Sequence, residues 1–97
     1  MPQIIFTEKA RSDIEKLKNF LIKKNKSAAI EAIFAIRHEI EILQNLPLAG
    51  RSVDDSELRE LIIPFGSSGY IVLYKNDFKR DLVIIAAIKH QKEDDYE

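Results

Sequence analysis

The chain has 97 residues, a net charge of −1 and no cysteine, and 45% of its residues are hydrophobic. The length allows one domain, the lack of cysteine excludes a disulfide framework and a cysteine-ligated zinc site, and the charge argues against tight binding to a phosphate backbone. The longest apolar run, residues 82–88, is too short to cross a bilayer, and the N-terminus lacks the basic segment of a signal peptide. We therefore expect one cytoplasmic domain over residues 1–97, with no cofactor, no metal, no membrane association and no direct binding to nucleic acid.

The first part of the chain predicts a strand followed by a helix. Residues 3–6, QIIF, have the composition of a short strand, and Thr7 is placed to cap the helix that follows. Asn25, within the lysine-rich break KKNK at residues 23–26, is expected to end this helix. The apolar stripe of the helix is formed at helical spacing by Ala10, Ile14, Leu17 and Leu21.

A second helix is predicted directly after this break. Ser27 is expected to cap it, and Pro47 and Gly50, in the segment LPLAGR (residues 46–51), are expected to end it. Because the break between the two helices is short, they should form an antiparallel hairpin. The apolar stripe of the second helix is formed by Ala29, Ile33, Ile36, Ile40 and Leu43.

The second half of the chain has the period and composition of strands. ELRELII, residues 57–63, is expected to end at Pro64, and YIVLYK, residues 70–75, is rich in β-branched and aromatic residues. LVIIAAI, residues 82–88, is expected to be a central strand that is covered on both faces. The order β-α-α-β-β-β predicts an α+β fold, in which an antiparallel helical hairpin lies across one face of a mainly antiparallel sheet.

Four segments, in this order, resemble elements of the ParE/RelE toxin superfamily of bacterial type II toxin–antitoxin systems. LPLAGR is similar to the family's Leu-x-x-Pro-x-x-Gly element, and LREL, residues 58–61, is similar to its Leu-Arg-x-Leu strand. SSGYIVLY, residues 67–74, is similar to its Gly-Tyr-Arg-x-x-Tyr strand, and IIAAIKH, residues 84–90, to its last strand with a terminal histidine. The resemblance implies the RelE/ParE-like fold and a cognate antitoxin whose flexible C-terminal part wraps the toxin.

The superfamily contains two kinds of toxin. The resemblance to RelE-like members implies a ribosome-dependent mRNA endonuclease with basic side chains on its middle strands, whereas ParE-like members inhibit DNA gyrase by protein–protein binding. In this chain Ile62 and Pro64 stand about where basic side chains are expected, and Ile71 takes the place of the arginine that usually follows the tyrosine. Because an isoleucine can neither accept a proton nor hold a phosphate, these differences favour the ParE-like function.

Three residues remain as catalytic candidates under the endonuclease alternative: His90, Arg59 and Tyr96. A histidine can act as acid or base near neutral pH, and an arginine can face a phosphate with two donors. His90 and Arg59 also have a structural explanation, because a polar group at a strand end often makes a hydrogen bond and Arg59 can bond across the sheet or to the C-terminal acids, and Tyr96, next to the chain end, is expected to be disordered. Those acids, in EDDYE at residues 93–97, also repel a polyanion. We therefore expect no catalytic residue.

The favoured function is that of a ParE-like toxin that binds DNA gyrase, arrests growth, serves plasmid stabilisation and is neutralised in a hetero-oligomer with its cognate antitoxin. A RelE-like mRNA endonuclease is the alternative. A third interpretation is a degenerate member of the superfamily that still binds its antitoxin but has lost toxicity.

Three large apolar residues, Ile22, Phe34 and Ile42, lie off the predicted stripes of the helical hairpin. They indicate either that the sheet and loops wrap further round the helices or that a partner covers them. Because the resemblance implies an antitoxin that wraps the toxin, we assign these three residues to antitoxin binding.

Overall fold

The computed structural model describes residues 2–66 and 68–91 and places two helices against one face of a five-stranded sheet. The elements are β1 (Gln3–Phe6), α1 (Glu8–Lys24), α2 (Lys26–Ile42), β2 (Arg51–Ser52), β3 (Leu58–Phe65), β4 (Ser68–Asp77) and β5 (Leu82–His90). The strand order is β1-β5-β4-β3-β2, in which β1 runs parallel to β5 and all other neighbours run antiparallel. The predicted α+β fold is confirmed, and the short strand β2 is an addition that the sequence pattern did not indicate.

A single residue, Asn25, joins the two helices and satisfies both helix ends. Its amide donates to the carbonyl of Leu21 at 2.8 Å, and its side-chain oxygen accepts from the amide of Ala28 at 3.2 Å. Asn25 therefore ends α1, as predicted, and also caps α2. The prediction that Ser27 caps the second helix is wrong, because Asn25 already fills that position and Ser27 lies inside α2.

The predicted apolar stripes form the core between the hairpin and the sheet. Ala10, Ile36 and Ile40 are buried, and the remaining stripe residues of α1 lie partly buried against the same cluster. A fully buried aliphatic side chain contributes about 1.5–3 kcal/mol relative to an exposed one. The largest fully buried side chains of the described chain are Tyr74, Ile36, Leu43, Ile63, Ile85, Val72 and Val83.

Strand β3 continues through Pro64, which the sequence pattern had predicted to end it. The carbonyl of Leu58 accepts from the amide of Val53 at 3.0 Å, so the backbone groups of Leu58 point away from β4. The direction in which backbone N–H and C=O groups point alternates from one residue of a strand to the next. Pro64, an even number of residues after Leu58, therefore turns its nitrogen away from β4 as well, at a position beyond the end of β2. The missing N–H costs no ladder hydrogen bond there, which is why the strand passes through proline to Phe65.

Strand β5 lies between β1 and β4, so the prediction of an interior strand is confirmed, although the helices cover only one of its faces within the described chain. Val83 and Ile85 are buried on the side of the helices, whereas Ile84 on the opposite side stays half-buried. Ala87, which the bulge in β5 brings to that opposite side, is also buried. The pairing with β1 ends at Ile85. Beyond that point, a side chain of α1 and the residue that caps it make hydrogen bonds to β5. Thr7 Oγ1 donates to the carbonyl of Ala86 at 3.0 Å, and Asp13 Oδ2 accepts from the amide of Ile88 at 2.9 Å.

Candidate functional site

The residues considered as site candidates are divided between the two faces of the sheet. Residues paired across antiparallel strands point to the same face, so the register assigns each side chain to one side. We call the side covered by α1 and α2 the helix face and the opposite side the second face. Arg59 and His90 lie on the helix face, and Ile62, Ile71 and Lys89 lie on the second face.

His90 is the last residue of β5 and is half-buried at the end of an aromatic row. Its ring meets the ring of Tyr70 edge-on, with the centroids 5.5 Å apart and an interplanar angle of 84°. The ring of Tyr70 lies 6.0 Å from that of Phe65, and burial raises the pKa of the Tyr70 hydroxyl above its ordinary value of 10.0. The imidazole is thus held by packing against a buried tyrosine.

Arg59 is bonded to the loop between α2 and β2. Its Nη1 donates to the carbonyl of Gly50 at 2.6 Å and lies 3.5 Å from the carbonyl of Leu48. The guanidinium also stands near Tyr74, whose pKa is raised by burial and lowered in part by a hydrogen bond from Gly50 and by the charge of Arg59. This arrangement supports a structural role for Arg59, which the sequence had suggested for it beside the catalytic alternative.

Gly50 brings this loop close to the sheet. The phenolic oxygen of Tyr74 accepts from the Gly50 amide at 2.8 Å. A Cβ at position 50 would lie 2.6 Å from the carbonyl oxygen of Glu60, a backbone atom that cannot move aside. The glycine of LPLAGR is therefore required here for close approach, and its effect is to hold Arg59 and Tyr74 in place.

The two residues of the endonuclease alternative that the structure describes, Arg59 and His90, lie at different positions along the sheet. Arg59 pairs with Tyr74 and His90 pairs with Tyr70. These two β4 positions are four residues apart, a distance of about 13 Å along a strand. Tyr96 and the acidic residues 93–97 lie outside the described residues. The structure therefore places Arg59 and His90 at separate positions along the helix face.

The second face carries the positions at which the resemblance leads one to expect basic residues. Ile62 and Pro64 are exposed there, and Ile71 lies beside Ile62 in the neighbouring strand. Lys89 pairs with Ile71 and completes a row across three strands. Lys89 is not among the predicted site residues, although the period of two in a strand implies that Lys89 and His90 point to opposite faces.

No metal-binding group emerges in the part of the chain that the structure describes. No three His, Asp or Glu side chains are placed there to hold an ion. None of the helices in these residues is long and apolar enough to span a membrane.

A groove of about 200 Å³ lies between α1 and α2 and contains two of the three residues assigned to antitoxin binding. Ile22 is 44% exposed on α1, and Phe34 is 70% exposed on α2. The groove adjoins a larger cavity of about 940 Å³ that extends towards β1. The lining residues are Lys18, Ile22, Lys26, Ala29, Ile30, Ile33, Phe34 and Arg37.

The antitoxin-binding surface predicted from the sequence differs from the groove at two residues, Ile42 and Ile30. Ile42 ends α2, is half-buried and does not line the groove, so the three residues assigned from the sequence do not form one cluster. Ile30, which is not among the predicted site residues, is exposed and lies one turn before Phe34 in the groove wall. The signal that could have identified it is its position four residues before Phe34, on the same side of the helix.

The groove has the chemistry of a docking site for an amphipathic segment. Its floor is apolar, and its rim carries the cations Lys18, Lys26 and Arg37. An apolar floor favours aliphatic or aromatic anchors, and a basic rim favours a partner with acidic flanks. The described chain therefore offers a surface for protein contact on the hairpin more clearly than a pocket for chemistry on the sheet.

Comparison with known proteins relates this chain to bacterial toxins. The family model described as the ParE toxin of the type II toxin–antitoxin system parDE matches residues 4–95. The toxin RelE3 of Caulobacter vibrioides is 34% identical over 93 residues, which cover 96% of this chain and 98% of the relative. The toxin RelE1 of the same organism is 29% identical over 72 residues, covering 74% of this chain and 76% of the relative.

Solved structures share the fold. A chain of the chromosomal ParDE toxin–antitoxin system from P. aeruginosa superposes with a TM-score of 0.79 at 18% identity, covering 95% of this chain and 98% of that chain. A chain of the intact E. coli RelBE toxin–antitoxin complex gives a TM-score of 0.64 at 14% identity, covering 97% and 100%. A chain of the Mycobacterium tuberculosis RelBE2 complex gives 0.56 at 24% identity, covering 93% and 99%.

Proposed function

Because the chain belongs to the ParE toxin family of type II toxin–antitoxin systems, we propose that this toxin acts in the cytoplasm by binding DNA gyrase and does not cleave RNA. Gyrase held in this way would keep its DNA cleavage complexes, and replication would stall. Growth would then stop whenever the antitoxin is lost, which would stabilise a plasmid that carries the system.

The observation that carries this proposal is the apolar row on the second face. Ile62 and Ile71 are paired neighbours on β3 and β4, at positions where RNA-cleaving members of the superfamily are expected to carry basic side chains. RNA cleavage through a 2′-hydroxyl needs a group that takes a proton and groups that stabilise charge on the phosphate. Two isoleucines and Pro64 supply neither, so the expected catalytic positions lack the required chemistry.

The helix face does not supply the acid, base and phosphate-binding groups that the second face lacks. The guanidinium of Arg59 is bonded to loop carbonyls, and His90 packs on Tyr70 about 13 Å further along the sheet. A pair of groups this far apart does not bracket one scissile phosphate. The geometry of the described residues therefore supports an inhibitor that works through its surface.

An mRNA endonuclease is the second candidate, and one observation favours it. Both relatives from Caulobacter vibrioides are named RelE toxins, and one of them is 34% identical to this chain. In that case Lys89 on the second face, or His90 on the helix face, would have to carry the chemistry that Ile62 and Ile71 cannot provide.

Two assays on the full chain separate these functions. Purified toxin is expected to inhibit supercoiling by gyrase, and primer extension on cellular mRNA after induction is expected to show no new cuts at codon positions. His90→Ala and Lys89→Ala, two neighbours on opposite faces, should keep toxicity. Cuts that appear with the wild type and fall by a factor of about 10² or more in either variant would establish the endonuclease instead. A chain that does neither and does not slow growth would be a degenerate toxin.

A cognate antitoxin is the expected partner, since the similar structures from P. aeruginosa, E. coli and M. tuberculosis belong to toxin–antitoxin systems. We place its contact on the hairpin groove, with Ile22 and Phe34 as anchors and Ile42 as a separate contact at the C-terminal end of α2. The complex would be a hetero-oligomer that hides the exposed Phe34 ring from water.

A further inference from the structure

The face of α2 that points away from the core is centred on Phe34. At about 100° per residue, Phe34 lies nearly opposite the buried Ala32 and Ile36. Within the described residues no other element covers Phe34, whose side chain is 70% exposed, or Ile30, which is 51% exposed. The other exposed residues of this face are Lys26, Ser27, Glu31, Arg37, His38 and Glu41.

Four of the charged or imidazole groups on this face are arranged symmetrically about Phe34. Lys26 lies eight residues before it and Glu41 seven after it, and both fall on the flank that faces α1. Glu31 lies three residues before it and His38 four after it, and both fall on the other flank. None of these four side chains forms a salt bridge with another described residue.

We propose that this face of α2 binds a second copy of the same chain, with the two α2 helices antiparallel across a two-fold axis at Phe34. In such a pair each flank meets the same flank of the partner helix, and positions equally far before and after Phe34 stand at the same height. Lys26 then meets Glu41 of the second copy, and Glu31 meets His38 of the second copy. Every contact occurs twice, because the interface is self-complementary.

The apolar part of the contact fits the same arrangement. The two Phe34 rings meet at the centre, and Ile30 faces the alkyl stem of Arg37 of the second copy. Ile22 on α1 is 44% exposed beside this flank and extends the apolar area. A second copy matches Glu31 and Glu41 each with a basic or imidazole group.

The contact is small, so we expect a dimer with a dissociation constant of about the micromolar range. Two 17-residue helices bury an area at the low end of protein interfaces, below about 1,200 Å² in total. Phe34 also belongs to the surface proposed for the antitoxin. Self-association of free toxin and capture by the antitoxin would then exclude each other.

Sedimentation velocity of the purified full chain over a range of concentrations tests the proposal without antitoxin or target, so its outcome is independent of the proposed function. The wild type is expected to show a monomer–dimer equilibrium, and Phe34→Ala to remain monomeric. Phe78→Ala is the matched control, because Phe78 is 72% exposed on the β4–β5 turn and lies outside the proposed face. It should dimerise like the wild type.

A charge exchange tests the two-fold arrangement itself. Lys26→Glu and Glu41→Lys should each weaken the dimer about tenfold, since each puts like charges together at two symmetric positions. The double variant should return to within about twofold of the wild type. Lys26→Glu places an acid at the start of α2, and Glu41→Lys places a base near its end. Both charges interact favourably with the helix dipole, so neither change should destabilise the fold. Lys79→Glu, on the β4–β5 turn, should have no effect.

Three results would overturn the proposal. The first is a wild-type chain that stays monomeric at every concentration. The second is a dimer that Phe34→Ala leaves intact, which would place the contact elsewhere. The third is a double charge variant that is no tighter than the single variants, which would exclude the antiparallel pairing of Lys26 with Glu41.

Discussion

The hydroxyl group of Tyr74 accepts a hydrogen bond from the amide of Gly50 and donates one to the carbonyl of Pro47, both at 2.8 Å. Tyr74 is fully buried in the middle strand of the sheet, whereas Gly50 and Pro47 belong to the loop that follows α2. One phenol therefore fixes the end of the helical hairpin to the sheet. Arg59 extends the same link through its bond to the Gly50 carbonyl.

We expect Tyr74→Phe to lower the free energy of unfolding by about 1–3 kcal/mol, because the buried Gly50 amide loses its acceptor while the ring stays in place. Urea denaturation of the free chain measures this loss. Tyr70→Phe is the control, since its ring keeps the contacts with Phe65 and His90. If Tyr74→Phe unfolds at the same urea concentration as the wild type, the loop is not held by this hydroxyl.

The sequence predicted the elements of the fold because hydrophobic period carries that information directly. Ala10, Ile36 and Ile40 were read from helical spacing and are buried. The errors concern positions where one local signal competes with another. Ser27 is a good helix cap, but Asn25 already fills the position, and Pro64 normally ends a strand but here turns its nitrogen to a free edge.

The candidate site was less predictable than the fold, because it depends on which side chains point to the same face. The family resemblance makes His90 and Arg59 candidates for one catalytic site, whereas the register offsets them by about 13 Å along the strand direction and places them on opposite sides of β4. Conversely, the structure aligns Lys89 with Ile71 and Ile62. Such a row needs the pairing of three strands, and no single segment of sequence specifies that pairing.

Ile85 is expected to be essential for stability, because it is fully buried between Phe6 of β1 and Tyr74 of β4. Ile85→Ala should cost about 2–5 kcal/mol, a large share of the roughly 5–15 kcal/mol that stabilises a domain. Toxicity and antitoxin binding should be lost together through unfolding. Thermal melting followed by circular dichroism measures the cost.

Ile84→Ala serves as the control for this variant, since Ile84 is the neighbouring residue of β5, only half-buried on the second face. It should melt much closer to the wild type. Equal melting temperatures for the two variants would contradict the assignment of Ile85 to the central core.

Alkaline pH should destabilise the chain through its two buried tyrosines. Burial raises the pKa of Tyr70 and Tyr74 above the ordinary value of 10.0, so the folded chain holds these protons more tightly than the unfolded chain does. The tyrosines therefore stabilise the fold fully below about pH 10, and this contribution is lost as the pH rises from there through the folded-state pKa values. Glu57 raises the pKa of the exposed Lys75 in the same direction.

Urea denaturation repeated at several pH values between about 8 and 11 measures this effect, with the tyrosine reference near 10 as the expected onset. The double variant Tyr70→Phe with Tyr74→Phe should show a much flatter decline than the wild type. Should both chains decline in parallel, lysine titration rather than tyrosine burial would be responsible.

Phe34 is the sharpest test of the antitoxin surface, because its ring is exposed in the free chain and stands at the wall of the hairpin groove. A buried aromatic anchor contributes about 2 kcal/mol or more to binding, whereas an exposed side chain contributes within about 0.5 kcal/mol to folding. Phe34→Ala should therefore weaken antitoxin binding about 30-fold at an unchanged melting temperature, and growth arrest should occur even when antitoxin is co-expressed.

Ile42→Ala should weaken binding as well, but Ile42 is half-buried, so this variant should also melt at a lower temperature. Calorimetric titration with antitoxin measures the loss of affinity, and the melting temperature of the free toxin measures any loss of folding stability. Phe78→Ala is the control, because Phe78 is about as exposed as Phe34. Wild-type affinity in Phe34→Ala, or equal losses in Phe34→Ala and Phe78→Ala, would place the antitoxin on another part of the toxin.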